Sequence, residues 1–471
     1  MDCDRPAGRR LRRFLRASIV LSTFGALIVS RSGAMAAAIH PRDQIWLAVS
    51  DIHLDPYDRS SRASSYRFDS NIALFDSALA AMKRAVPNPS LVLLPGDFFE
   101  HHFAQHVRER GGDTSADEAG IATMLRIATA FGHAFPRAHF AIALGNNDAP
   151  CGDYRTTNGS AYLKGVARIW EPLVNRDRAA PDFAASFSRD GHYTAGLPMH
   201  GLRLAVVNSL LFSQQYRGNC GSTGDAAAKE LAWLQRVFRR LPSGTRAVVM
   251  MHIPPGFDAF STQYARGFLA WPFLRAPYNG MLVNSLATNS GRIAFGIAGH
   301  THRFDFRLAG TVPVVILGSL SPIFENNPAF YAMHVSSTGS LDDIDTTTFK
   351  ESNQQWVAQR GFAATWAISR FDNASLTELH ARIKTSPSAR LAWGAQANGR
   401  APSDVQHAGP WGTRWWRAQW CSQTFLVGHF AECARIEERV TALRAIVPAI
   451  ALAGIVSIVL AVRAVQRRRR A

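Results

Sequence analysis

The chain has 471 residues, 47% hydrophobic and 18% charged, with a formal charge of +17. That length holds one large domain or two medium ones, and the composition excludes a disordered chain. The basic excess sits at the ends, +5 in residues 1–38 and +5 from Arg463 and Arg467 to Arg470, which leaves a spread +7 elsewhere and excludes specific nucleic-acid binding as the expected role.

Residues 1–38 read as a secretory signal peptide. A basic start, an apolar stretch from Ala17 to Ser30, and alanines at 34 and 36 supply its three regions. Short apolar runs then recur at 45–53, 91–97, 139–148, 202–209, 247–256, 292–302 and 312–319, bounded by Gly, Pro or Asn. They read as buried strands of an α/β fold. Between them, "NIALFDSALAAMKRA" (71–85) and "AAAKELAWLQRVFRRL" (226–241) carry apolar residues at helical spacing and are expected to cover the sheet.

Most of the early runs close on Asp, Asn or His. In open α/β sheets such groups collect at the carboxyl ends of the strands, which brings Asp51, His53, Asp97, Asn146, His252, His300 and His302 within reach of one another. All are nitrogen or oxygen donors without a thiolate, a set suited to two divalent ions about 3.5–4 Å apart with a bridging carboxylate. Asp97, in "LPGDFFEHH", is the expected bridge. A carboxylate buried at a strand end costs several kcal/mol unless it is paired or bound to metal.

Residues 39–340 are expected to form the catalytic domain and 341–441 a helical subdomain. The latter holds Trp356, Trp366, Trp393, Trp411, Trp415, Trp416 and Trp420, either as packed core or as an aromatic binding platform. Beyond it, Ala445–Val462 carries no charge, enough to cross about 30 Å of hydrocarbon. We therefore expect a transmembrane helix at 442–465 and a basic cytoplasmic tail at 466–471. The terminal arginines place the bulk of the chain outside the cytoplasm, which implies a single-pass inner-membrane protein with a periplasmic domain. In that compartment disulfides persist. Cys151, Cys220, Cys421 and Cys433 allow three connectivities, of which Cys151–Cys220 with Cys421–Cys433 is the one expected.

The order D-x-H, G-D, G-N-x-D, H and G-H-x-H resembles the calcineurin-like metallophosphoesterases. "GDFFEH", "AKELAWLQ", "MHIPPG", "GHTHRFDF" and "SLSPIFENNPAF" resemble the acid sphingomyelinase branch, over residues 45 to about 335. The resemblance implies a β-sandwich flanked by helices, with a helical C-terminal region. It implies Asp51, His53, Asp97 and His302 around one metal, and Asp97, Asn146, His252 and His300 around the other. Zinc is the metal implied, with manganese or iron as alternatives. The implied reaction is attack of a metal-bound hydroxide on phosphorus, in a phosphodiesterase acting on a nucleotide, lipid-headgroup or polyphosphate substrate.

The chain departs from this pattern at Asn147, where the family carries a histidine that protonates the leaving group or steadies the phosphoryl oxygens. An asparagine cannot give up a proton near neutral pH. His101, where the sphingomyelinase branch also has a histidine, is expected to stand in, and Asp148 to orient the loop. The alternative left open by Asn147 is a metal-binding pseudoenzyme that recognises a phosphorylated partner without turnover.

Overall fold

The computed structural model describes residues 43–436 except 222, 223 and 268. The expected signal peptide and membrane span, and the basic tail, lie outside the described residues. Among the described residues, no helix is long and apolar enough to cross a membrane.

Among the described residues, twelve strands form two six-stranded sheets. In chain order they are β1 (Gln44–Ala48), β2 (Leu91–Leu94), β3 (His139–Ile142), β4 (Tyr193–Gly196), β5 (Leu202–Val207), β6 (Arg246–Met251), β7 (Ile293–Ala298), β8 (Asp305–Ala309), β9 (Val312–Ile316), β10 (Ala329–Val335), β11 (Leu341–Lys350) and β12 (Gln355–Ala358). The first sheet runs β12-β11-β10-β1-β2-β3 and the second β4-β5-β6-β7-β9-β8. β1–β2–β3 are parallel in one, and β5–β6–β7–β9 in the other. Their carboxyl ends therefore point the same way within each sheet.

The two sheets pack face to face, as the alternation of side chains shows. Leu204 and Val206 of β5 and Val248 and Met250 of β6 join the core that contains Trp46, Val92 and Phe140 of the first sheet. The intervening Ala205, Val207, Val249 and Met251 face a second core with Leu231, Leu234 and Leu286 from the helices Ala227–Arg240 and Tyr278–Thr288. Trp46 meets Phe295 across the interface, ring centroids 5.9 Å apart. The outer face of the first sheet is covered by the helices Ile72–Ala85, Ala116–Ala134 and Ala161–Val174. Asn71, Ser115 and Ser160 cap these three by accepting a backbone N–H with their side chains.

Each of the seven expected strands has its counterpart. The region expected to be helical from 341 begins instead with β11 and β12, which extend the first sheet through β10. Helices follow only from Phe362. In β11, "LDDIDTTTFK", alternate side chains are buried while Asp343 accepts the Ala363 N–H at 2.7 Å. Trp366, Trp393, Trp411 and Trp420 are buried as core, and Trp415 and Trp416 are half-buried. The disulfides are Cys151–Cys220 and Cys421–Cys433.

Candidate metal centre

The loops leaving β1 and β2 are laced together: Asp51 N–H donates to Gly96 O at 3.1 Å and His53 N–H to Asp97 O at 3.0 Å. A second tie joins the sheets, because the His300 N–H donates to both Asp51 carboxylate oxygens, at 3.0 and 3.1 Å. Asp51, His53, Asp97, His300 and His302 all have positive φ, from 43° to 73°. Such a backbone costs on the order of 1–3 kcal/mol per residue and clusters where surrounding structure holds a working geometry. Two glycines permit the close approach. A Cβ on Gly145 would lie 2.0 Å from Asp97 Oδ1, and one on Gly299 2.6 Å from Asp51 Oδ2.

All seven expected ligands converge. Asp97 Oδ2 is 3.4 Å from His53 Nε2 and 3.2 Å from His252 Nε2. Asp51 Oδ1 is 3.5 Å from His302 Nε2, and His252 Nε2 is 3.0 Å from Asn146 Oδ1. Two sets able to hold an ion share Asp97: Asp51–His53–Asp97 and Asp97–His252–His300. His101 forms a third set with His53 and His302.

These residues fit a bound cation. Carbonyl oxygens accept the Nδ1–H of His53 (Phe99 O, 2.8 Å) and of His252 (Pro95 O, 2.9 Å), which turns each Nε2 lone pair inward. His53 Nε2 then faces His302 Nε2 at 3.1 Å, so both rings bring a nitrogen that a cation could take. Without metal, the charge of the site is set by its protons. Burial opposes a charge on His252, but the Asp97 carboxylate holds it up at about 9. Burial and the neighbouring His101 charge push His53 down to about 4, and burial pushes Asp51 up to about 6. A divalent ion displaces such protons as it binds.

The three residues expected to act beside the metals are also placed here. Asp148 accepts the backbone N–H of Asp97 (3.1 Å), Phe98 (2.7 Å) and Gly145 (2.7 Å), so it clamps the two ligand loops. Asn147 donates its backbone N–H to Asp97 Oδ1 at 2.8 Å, and its buried Nδ2 has no partner among the described residues. His101 stacks on His53, centroids 4.2 Å apart, and its Nδ1 lies 3.1 Å from both Asp69 oxygens. Burial opposes its charge, but Asp69 outweighs that and raises its pKa. His102 and His106 turn instead to Asp153 and Glu100. Sequence reasoning missed Asp69, a lone acid in a polar stretch with no motif around it.

A cavity of about 250 Å³ opens over the centre, lined by Asp97, His101, Asn147 and His300, with Arg303 and Phe324 on its wall. Arg303 is fixed from behind, donating Nε–H to Asn398 Oδ1 at 2.6 Å.

The calcineurin-like phosphoesterase family model matches residues 47–304. Among curated relatives, the sphingomyelinase phosphodiesterase D of Dictyostelium discoideum is 24% identical over 322 residues, 64% of this chain and 67% of that protein. An acid sphingomyelinase-like phosphodiesterase 3b of Mus musculus is 27% identical over 284 residues, 55% of this chain and 57% of that protein. A cyclic GMP-AMP phosphodiesterase of Mus musculus is 23% identical over 286 residues, 55% of this chain and 58% of its own length. The matches to the two mouse proteins thus take in less than two thirds of either. With a two-sheet fold whose strand ends gather this donor set, the chain belongs to the calcineurin-like phosphoesterase family.

Proposed function

We propose that the protein is an exported, membrane-anchored dinuclear metal phosphodiesterase. The observation that carries this reading is Asp97, shared between two nitrogen and oxygen donor sets at the floor of one cavity. Asp51, His53, Asp97 and His302 would hold one divalent ion, and Asp97, Asn146, His252 and His300 the other, zinc being our assignment. Two such ions lower the pKa of water and neutralise charge on phosphoryl oxygens.

The chain's own residues supply the rest. His101 carries the proton for the leaving group, with Asp69 accepting its Nδ1–H and holding the ring in place. Asn147 offers its amide N–H to a phosphoryl oxygen as a hydrogen-bond donor that keeps its proton. Asp148 fixes the loops of Asp97 and Asn146 through the N–H groups it gathers. A diester rather than a monoester is supported by the relatives, whose names are those of phosphodiesterases. A nucleotide, lipid headgroup or polyphosphate is the substrate class proposed. Export is supported by the leader-like start and the two disulfides, and anchoring by the charge-free stretch Ala445–Val462.

Asn147 in place of a histidine favours a second reading, a pseudoenzyme that binds a phosphorylated partner without turnover. Hydrolysis of bis(4-nitrophenyl) phosphate by the purified full chain separates the two. We expect turnover that chelation abolishes and added zinc restores. A chain that binds zinc yet hydrolyses no diester supports the pseudoenzyme.

A further inference from the structure

The short helix Trp416–Ser422 and the residues before it form a face the catalytic reading does not use. Arg390 lies over the Trp416 ring at 4.1 Å, Arg417 lies 5.8 Å from the same ring, and Arg414 sits over Trp415 at 5.0 Å. None of the three arginines is in an ion pair among the described residues. Both rings are half-buried, while Trp411 and Trp420 on either side are core. Indole rings with guanidinium groups, apolar at one side and charged at the other, suit the boundary between headgroups and hydrocarbon.

The path of the chain supports that occupant. The disulfide Cys421–Cys433 ties the last described segment to this helix. The described residues end at Ile436, and the charge-free stretch begins at Ala445. Nine residues reach at most roughly 30 Å. If that stretch enters a bilayer, the arginine–tryptophan face stays close to the same bilayer.

We propose that this face docks on a membrane surface carrying anionic headgroups, an inference that rests on reading Ala445–Val462 as a membrane span. The helix Ala259–Tyr264 packs against Trp416–Ser422, and its Phe260 lines the catalytic cavity. Docking therefore sets the rim of the cavity beside the headgroups.

The test uses the full chain in vesicles of phosphatidylglycerol and phosphatidylcholine with a photoactivatable diazirine near the headgroup. Labelled peptides are mapped by mass spectrometry. Peptide 414–417 is expected to be labelled on the order of tenfold more than peptide 72–85, and to lose most of that label in pure phosphatidylcholine. The triple variant Arg390→Glu, Arg414→Glu, Arg417→Glu is expected to lose about tenfold in label while hydrolysing the soluble chromogenic diester at the parent rate, which shows that it folds.

Equal labelling of 414–417 and 72–85, or labelling indifferent to lipid charge, overturns the inference without relying on any variant. Cross-links from the face to residues 437–471 in place of lipid also overturn it. Alkaline carbonate extraction decides the span separately: a chain that stays in the pellet with an unlabelled face refutes the docking alone.

Discussion

In the proposed mechanism His101 and Asn147 divide between them the role that the resemblance gives to one histidine, and their environments differ accordingly. Asp69 raises the pKa of His101 and orients its ring, while the buried Nδ2 of Asn147 has no partner among the described residues. We predict that His101→Ala keeps both metals and loses about 10² to 10⁴ in rate on diesters with poor leaving groups. A nitrophenyl diester, whose leaving group departs without a proton, is expected to lose far less. Asn147→His is expected to restore part of the His101→Ala loss. Equal losses on both substrate classes would mean damage to the site rather than loss of an acid. The ligands were legible in the sequence because each closes an apolar run. Asp69 was not, since its role arises from a contact 32 residues away in sequence with nothing local to mark it.

At the scale of elements, the site depends on backbones approaching more closely than a side chain allows. Gly145→Ala would place a methyl 2.0 Å from Asp97 Oδ1. We expect it to abolish metal binding while the far-ultraviolet circular dichroism stays that of the parent; a variant that retains two metals would show the loop to be slack. The seven buried strands were legible as continuous apolar runs. β4, β8, β10, β11 and β12 were not, being short, edge-placed or alternating. β11 pairs with β10 and β12, and its buried Thr346 and Thr348 alternate with half-exposed Asp345 and Thr347, so polar residues on both sides hide its period of two. The helical reading of 341 onward failed for that reason. Arg414 to Arg417 read only as part of a tryptophan-rich region, because what separates core rings from surface rings is packing rather than composition.

For the whole molecule, the C-terminal helices are joined to the sandwich by a shared core that includes Trp393, Trp411 and Phe304. His380 in this region is buried, stacks on Trp420 with centroids 4.1 Å apart, and donates Nε2–H to Trp420 O at 3.0 Å. Burial lowers its pKa to about 4. The folded state thus keeps it neutral where the unfolded chain, with a value near 6.5, takes up a proton. Its contribution is complete above about pH 6.5 and falls as pH drops towards 4, a loss on the order of 3 kcal/mol. We predict that His380→Gln, which can keep the hydrogen bond, flattens the stability profile between pH 6.5 and 4 in denaturant titrations. Parallel profiles for parent and variant would assign the acid sensitivity elsewhere.

The claim on which the rest depends is that Asp97 bridges two ions, and elemental analysis of the purified full chain with its Asp97→Ala variant tests it most directly. Two divalent ions per chain are expected in the parent and fewer than one in the variant, with phosphodiester hydrolysis lost in parallel. A parent with a single ion, or a variant that keeps two, would contradict it.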